Sequence, residues 1–292
     1  MLNKLDLFSI KMEIIIRNSE RADKFAAIFQ HIKLFTDHIA IMCNKTHMSM
    51  QCMDSAHVAI LEMSLPAAWF DVYNMIDGNN IRIGFNATYL HRILSSRDKE
   101  QQIQLLYSEE DSDRILIHLT KPEDSVGGGG DAVSVSSKKQ GKQTNTFDKH
   151  FELPLIDIEE EGMQIPEMEY AAELAMHSAQ FADIITQLKM FGDTMEVQCS
   201  EERIALASTS QDQGKMFVEI GINDLTEFAI DEGADLALSF SLTYLKHFCA
   251  YSKISELISI KFGESYPMRI GYSLGEFEDA NLVFHLAPKI ND

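Results

Sequence analysis

Two blocks of the chain repeat at almost the same spacing, and this limits the fold more than any other sequence feature. Phe25 to Cys43 reads FAAIFQHIKLFTDHIAIMC, and Phe181 to Cys199 reads FADIITQLKMFGDTMEVQC. Without a gap they share Phe25/Phe181, Ala26/Ala182, Ile28/Ile184, Lys33/Lys189, Phe35/Phe191, Asp37/Asp193 and Cys43/Cys199, at an offset of 156. FNATYLHRIL from Phe85 aligns with FSLTYLKHFC from Phe240 at an offset of 155, around a common Thr-Tyr-Leu. Two blocks at nearly one offset describe two copies of one domain, in line with the two domains that 292 residues suggest.

Each copy carries the same string of elements. Phe25, Ile28, Phe29, Ile32 and Phe35 recur at helical spacing, as do Phe181, Ile184, Ile185, Leu188 and Phe191. Alternating segments such as HMSMQCM and MEVQC follow as strands. The Thr-Tyr-Leu block predicts a second helix, and a further run of strands closes each copy. The expected helices are 22–36, 87–97, 178–190 and 241–253, among about eight or nine strands per copy. This is an α+β fold with two helices on one face of antiparallel sheets in each domain. The domains are expected at 1–154 and 171–292, joined by a connector at 155–170. Pro166 and the acidic run in LIDIEEEGMQIPEMEY favour an extended connector. The Gly-, Ser- and Lys-rich segment at about 121–149 reads as a flexible insertion.

Charge is unevenly spread. The chain carries a net −20, which argues against a general affinity for phosphates. The four predicted helices nevertheless hold Lys24, Lys33, Arg92, Arg97, Lys189, Lys246 and Lys253 against Asp23 and Asp183 only. Their net charge of +5 leaves −25 on the remainder. Scattered helical cations often do no more than solvate an exposed face. The same bias in four helices of a duplicated chain points instead to an anionic partner on the helical side.

Sites for chemistry do not emerge. The tetraglycine Gly127 to Gly130 lacks the GK[ST] of a phosphate loop, and HExxH, GxSxG and dinucleotide fingerprints are missing. His47 and His57 have no metal-ligand spacing, and Glu159 to Glu161 form a solvated run rather than a catalytic pair. No metal or cofactor is therefore expected. Cys43, Cys52, Cys199 and Cys249 sit in apolar stretches without CxxC spacing and read as buried thiols of a reducing compartment. No apolar run approaches the ~18 residues of a membrane span. Charges in MLNKLDLFSIKMEIII interrupt any secretory signal.

Several segments resemble the proliferating cell nuclear antigens, the eukaryotic sliding clamps. QCMDSAHVAILEM at Gln51 to Met63 is similar to that family's Gln-x-Met-Asp-Ser-x-His-Val segment. The connector, with Ile165-Pro166-Glu167-x-Glu169-Tyr170, looks like its interdomain loop, and LAPKIND from Leu286 like its tail. The resemblance runs from about Ile14 to Asp292 except in the insertion. It implies a non-enzymatic homotrimeric ring that encircles duplex DNA without reading its sequence. The seven cations named above would face the DNA. It also implies a pocket for short partner segments, built from Met53, His57, Val58, Ile60, Met163, Ile165, Tyr170, Pro267, Ala287 and Pro288. Polymerase, clamp loader, ligase and flap endonuclease are the partner types implied, in a nucleus or at a viral replication site.

The chain departs from the family at Ala26, Ala27, Asp183, Thr186, Thr243 and Ala250, where clamps usually carry channel cations, and at His285, where Tyr is typical. Lys138, Lys139, Lys142 and Lys149 of the insertion are expected to supply some of the missing phosphate contacts. Such divergence suits a viral or distant eukaryotic member. Other readings are a subunit of a heterotrimeric checkpoint clamp, a processivity factor that closes no ring, and a nucleic-acid-processing enzyme on a duplicated scaffold.

Overall fold

The computed structural model describes residues 10–76, 80–122, 147–158, 163–166, 168–264 and 266–290. In the first half, strands β1 (Ile10–Ile16), β2 (His38–Cys43), β3 (His47–Met53), β4 (Ala59–Pro66), β5 (Val72–Met75), β6 (Ile81–Asn86), β7 (Gln102–Ser108), β8 (Arg114–Thr120) and β9 (Lys149–Pro154) accompany helices α1 (Ser19–His31) and α2 (Ala87–Ser95). In the second, β10 (Ala172–His177), β11 (Thr194–Ser200), β12 (Ile204–Ser210), β13 (Gly214–Ile220), β14 (Glu227–Ile230), β15 (Asp235–Ser241), β16 (Leu257–Phe262), β17 (Met268–Ser273) and β18 (Asn281–Leu286) accompany α3 (Ser178–Leu188) and α4 (Leu242–Cys249). The two halves follow one plan. β4 and β13 each lead into a single 3-10 turn, at Ala67–Trp69 and Ile222–Asp224.

Local chemistry accounts for the elements. Asn18 caps α1 by accepting from the Arg21 amide, and Asn86 caps α2 by accepting from Thr88 and Tyr89. α1 buries Ala22, Phe25, Ile28 and Phe29 on one stripe. In β4, burial alternates residue by residue, with Ala59, Leu61, Met63 and Leu65 inward. The helices are shorter at their C-terminal ends than apolar spacing predicts. α1 begins earlier, at Ser19, and gives way to a 3-10 turn at Ile32–Leu34.

All the observed strand pairing is antiparallel, in three sheets ordered β5-β1-β7-β8-β9, β13-β12-β11-β15 and β14-β10-β16-β17-β18-β4-β3-β2-β6. The nine-stranded sheet is shared between the halves. Its seam is β18 against β4, with Leu286 opposite Ala59, Phe284 opposite Leu61 and Leu282 opposite Met63. Behind the seam, Phe35 stacks on Phe248 (centroids 5.8 Å), and Phe248 on Phe284 (4.5 Å). α1 packs on α2 and α3 on α4. The Tyr251 hydroxyl, just past α4, donates to the Ile28 carbonyl of α1 at 3.2 Å. The four helices thus form one row, α2-α1-α4-α3.

The connector begins against β6. The Ile156 amide donates to the Gly84 carbonyl at 2.8 Å, and a Cβ on Gly84 would collide with the Ile156 carbonyl oxygen. Gly84→Ala is therefore expected to lower stability by about 1–3 kcal/mol, through displacement of the chain at 156–158. A denaturant midpoint measured against wild type checks this.

Candidate nucleic-acid interface and docking groove

The expected cations fall into two groups. Lys33, Arg92, Lys246 and Lys253 are exposed and, among the described residues, have no carboxylate within ion-pair distance. Arg92 lies over the exposed Tyr89 ring, 5.7 Å from its centroid. The other three are engaged by the fold. Lys24 pairs with Glu20 at 3.0 Å. Lys189 pairs with Asp193 and donates to Thr243 Oγ1 at 2.9 Å. Arg97 is a correction: its side chain is 4% exposed, paired with Asp23 and donating to the Gln101 carbonyl at 2.9 Å. It braces the turn after α2 and is not presented to a ligand.

The charge bias also narrows. Lys33, Arg97, Lys189 and Lys253 lie at or beyond helix C-terminal ends, where the helix dipole alone favours cations. α1 adds Glu20 and Arg21, and the Arg21 guanidinium donates to the Trp69 carbonyl at 2.9 Å. The helices proper are therefore close to neutral, and the positive character rests on the four unpaired cations against the exposed Asp183. Lys149 proves to be a β9 residue bound to Asp98 (2.8 Å) and the Ser96 carbonyl, not a loop cation. Lys138, Lys139 and Lys142 lie outside the described residues.

Histidines line the helical row. Burial first, then the charges of His91, Lys33 and Lys253, push His31 below its ordinary value of 6.5. Burial and Lys33 do the same to His91, and burial and Lys246 to His247. A His pKa lowered by folding gives stability that is complete above 6.5 and falls as pH drops from 6.5 through the lowered values. The thermal midpoint should fall between about pH 7 and about pH 5.5, and His31→Gln with His91→Gln should flatten that fall.

A groove of about 1370 Å³ lies mainly on the opposite side of the nine-stranded sheet, with one end reaching Lys33 to Asp37 after α1. Its floor is the outer face of β2, β3 and β4, reaching Val283 on β18 and Arg269 on β17. Met53, His57 and Met163 of the expected docking residues line it. Ile60 shares this face, opposite both Met53 and His285 in the register. The Ala287 amide donates to the Val58 carbonyl at 3.0 Å, tying the tail to the rim. Tyr170 packs near Tyr266, with ring centroids 6.4 Å apart, beside Pro267. Ile165 and Pro288 are half-buried and do not line the groove.

A tight turn forms one end of the groove. His57 has a φ of 58°, unusual for a side chain with Cβ. Asp54 fixes that turn by accepting from the amides of Ala56, Val58 and Ala59 at 2.9, 2.7 and 2.6 Å. Burial works to raise the Asp54 pKa. The Tyr244 hydroxyl and these amides outweigh it, so the carboxyl lies below its ordinary value. Because Tyr244 belongs to α4, this hydrogen bond (2.6 Å) joins the docking turn to the helical row. Gln51, Glu62 and Asp54 were not singled out as site residues from sequence, although all three lie in the QCMDSAHVAILEM segment. Their roles depend on strand register and distant partners.

Among the described residues, no group of three His, Cys, Asp or Glu could hold a metal, and no helix is long and apolar enough to cross a membrane. All four cysteines are buried and free, and burial pushes the Cys43 and Cys249 thiols up to about 12.

Residues 17–127 match the family model of the proliferating cell nuclear antigen N-terminal domain, and residues 164–290 that of its C-terminal domain. The chain is 28% identical to proliferating cell nuclear antigen of Chaetomium thermophilum, over 94% of this chain and 97% of that one. It is 23% identical to proliferating cell nuclear antigen 2 of Plasmodium falciparum, over 92% and 96%. With both domain types in order and a shared sheet joining two copies of one fold, the chain belongs to the proliferating cell nuclear antigen family of sliding DNA clamps.

Proposed function

We propose that three copies of this chain close into a ring around duplex DNA and act as a polymerase processivity factor. The observation that carries this is the seam inside the chain. Among the described residues, β9 and β13 end their sheets with one edge unpaired, and they are the repeat equivalents of β18 and β4, which pair at that seam. Phe151 stands opposite Ile117 as Phe284 stands opposite Ile270. An offset of 155 takes Leu61 to Met216 and Met63 to Val218. Joining β9 of one copy to β13 of the next would rebuild the seam, setting Phe151 against Met216 of the partner subunit. Phe147 (71% exposed) and Phe217 (51%) border or belong to these edges and would gain cover.

In such a ring the helical row faces inward. Lys33, Arg92, Lys246 and Lys253 touch phosphates without reading bases, so DNA is held by enclosure. The groove on the outer sheet face takes an extended partner segment with aliphatic and aromatic anchors, as from a polymerase, clamp loader, ligase or flap endonuclease in the nucleus. The protein acts as a scaffold and carries out no reaction. After loading onto a nicked circular plasmid, it should stay bound through gel filtration and leave when one cut linearises the DNA. Equal loss from circle and line would overturn the proposal.

A further inference from the structure

The described part of the connector is held above the groove at Met163 by a single side chain. Gln51 on β3 accepts from the Met163 amide at 2.6 Å and donates to the Met163 carbonyl at 3.0 Å. Both polar atoms of one side chain thus engage both polar atoms of one backbone residue, 112 positions away. The Gln51 amino group also donates to Glu62 Oε1 at 3.0 Å, from the residue opposite it in the β3–β4 register. That carboxylate sets the amide's orientation, because a flipped Gln51 would turn its carbonyl oxygen toward Glu62. His285 Nε2 donates to the other carboxylate oxygen at 3.0 Å, from a ring only 6% exposed. An ionised carboxylate can only accept, so Nε2 carries the proton of this hydrogen bond, and Nδ1 has no partner among the described residues. The His285 bond leads the effects that keep the Glu62 carboxyl below its ordinary value, despite burial acting the other way.

We propose that Gln51, oriented by Glu62 and His285, is a latch that sets the connector's position and so prepares the groove for partner docking. The claim rests on the docking reading above and goes beyond it by naming positioning residues. The relay runs His285, Glu62, Gln51, Met163, and so reaches from the last strand of the second copy, across the seam, to the connector. Latched in this way, Met163 turns its N–H and C=O to the sheet. In an extended chain the next residue's groups point the other way, which leaves the backbone of Gln164 for a docked strand. His285 thus has a use here, because its ring nitrogen orients Glu62.

The test pairs amide exchange, read by nuclear magnetic resonance, with binding of a labelled synthetic peptide that carries one aliphatic and two aromatic anchors. In Gln51→Ala, exchange at Met163 should quicken about tenfold while β3 and β4 amides keep their rates, and peptide affinity should fall about tenfold. Glu62→Ala should behave alike. Glu62→Gln, which keeps an acceptor for Gln51 but sets its amino group against His285 Nε2, should fall between wild type and Glu62→Ala in both readouts. Unchanged exchange at Met163 in Gln51→Ala would overturn the latch. Faster exchange with unchanged peptide affinity would overturn the positioning role. A wild-type protein that does not bind the peptide would overturn the docking reading and the positioning role together, with exchange at Met163 still deciding the latch.

Discussion

Met216→Asp should turn a three-chain particle into single chains of 33.0 kDa that remain folded. Within the chain, the seam positions Leu61, Met63, Leu282 and Phe284 are each at most 1% exposed, because a partner strand covers them. Their equivalents Met216, Val218 and Phe151 are only partly buried in one chain, for want of that strand. Completing the burial of Met216 in a closed ring is worth part of the roughly 1.5–3 kcal/mol that full burial of such a side chain brings, at each junction. A carboxylate there forfeits that burial and adds several kcal/mol of desolvation. In the isolated chain the introduced carboxylate still reaches water, so the melting temperature should shift by only a few degrees. The same change at Leu61, inside the existing seam, should prevent folding. Light scattering with circular dichroism separates the two outcomes.

Replacing Lys33, Arg92, Lys246 and Lys253 together by Gln should remove most of the electrostatic attraction for DNA. Replacing Lys24, Arg97 and Lys189 should have much less effect on binding. The first four are exposed and have no carboxylate at ion-pair distance among the described residues, whereas Glu20, Asp23 and Asp193 already neutralise the others. Each lost phosphate contact lowers the slope of log affinity against log salt by about 0.9, so a fourfold variant of a ring with all subunits engaged should show a visibly flatter salt dependence. Arg97→Gln should instead destabilise the fold, since it leaves Asp23 unpaired and strips donors from the Gln101 carbonyl. Equal losses of affinity in the two sets would contradict this division.

Much of the fold was legible because periodicity and repetition are local signals. The Phe25-Ile28-Phe29 stripe and the Thr-Tyr-Leu blocks located all four helices. Helix ends were less legible. Apolar spacing continues through Ile32 and Phe35 although the chain has already tightened into a 3-10 turn, and Asn18 starts α1 three residues before the first buried position. Arg97 looked like one more helical cation, since Asp23, its partner, is 74 residues away in the chain. The Gln51–Glu62–His285 relay depends on the register of β3, β4 and β18, which no single segment reveals. The unpaired edges likewise became informative only when β9 and β13 could be compared with the paired seam they duplicate.

The mass of the unaltered protein in dilute solution tests the central claim most directly. The proposed closure of three copies through these edges predicts a particle three times the 33.0 kDa chain. A single-chain mass at micromolar concentration, or a three-chain particle that survives Met216→Asp unchanged, would contradict ring closure through β9 and β13.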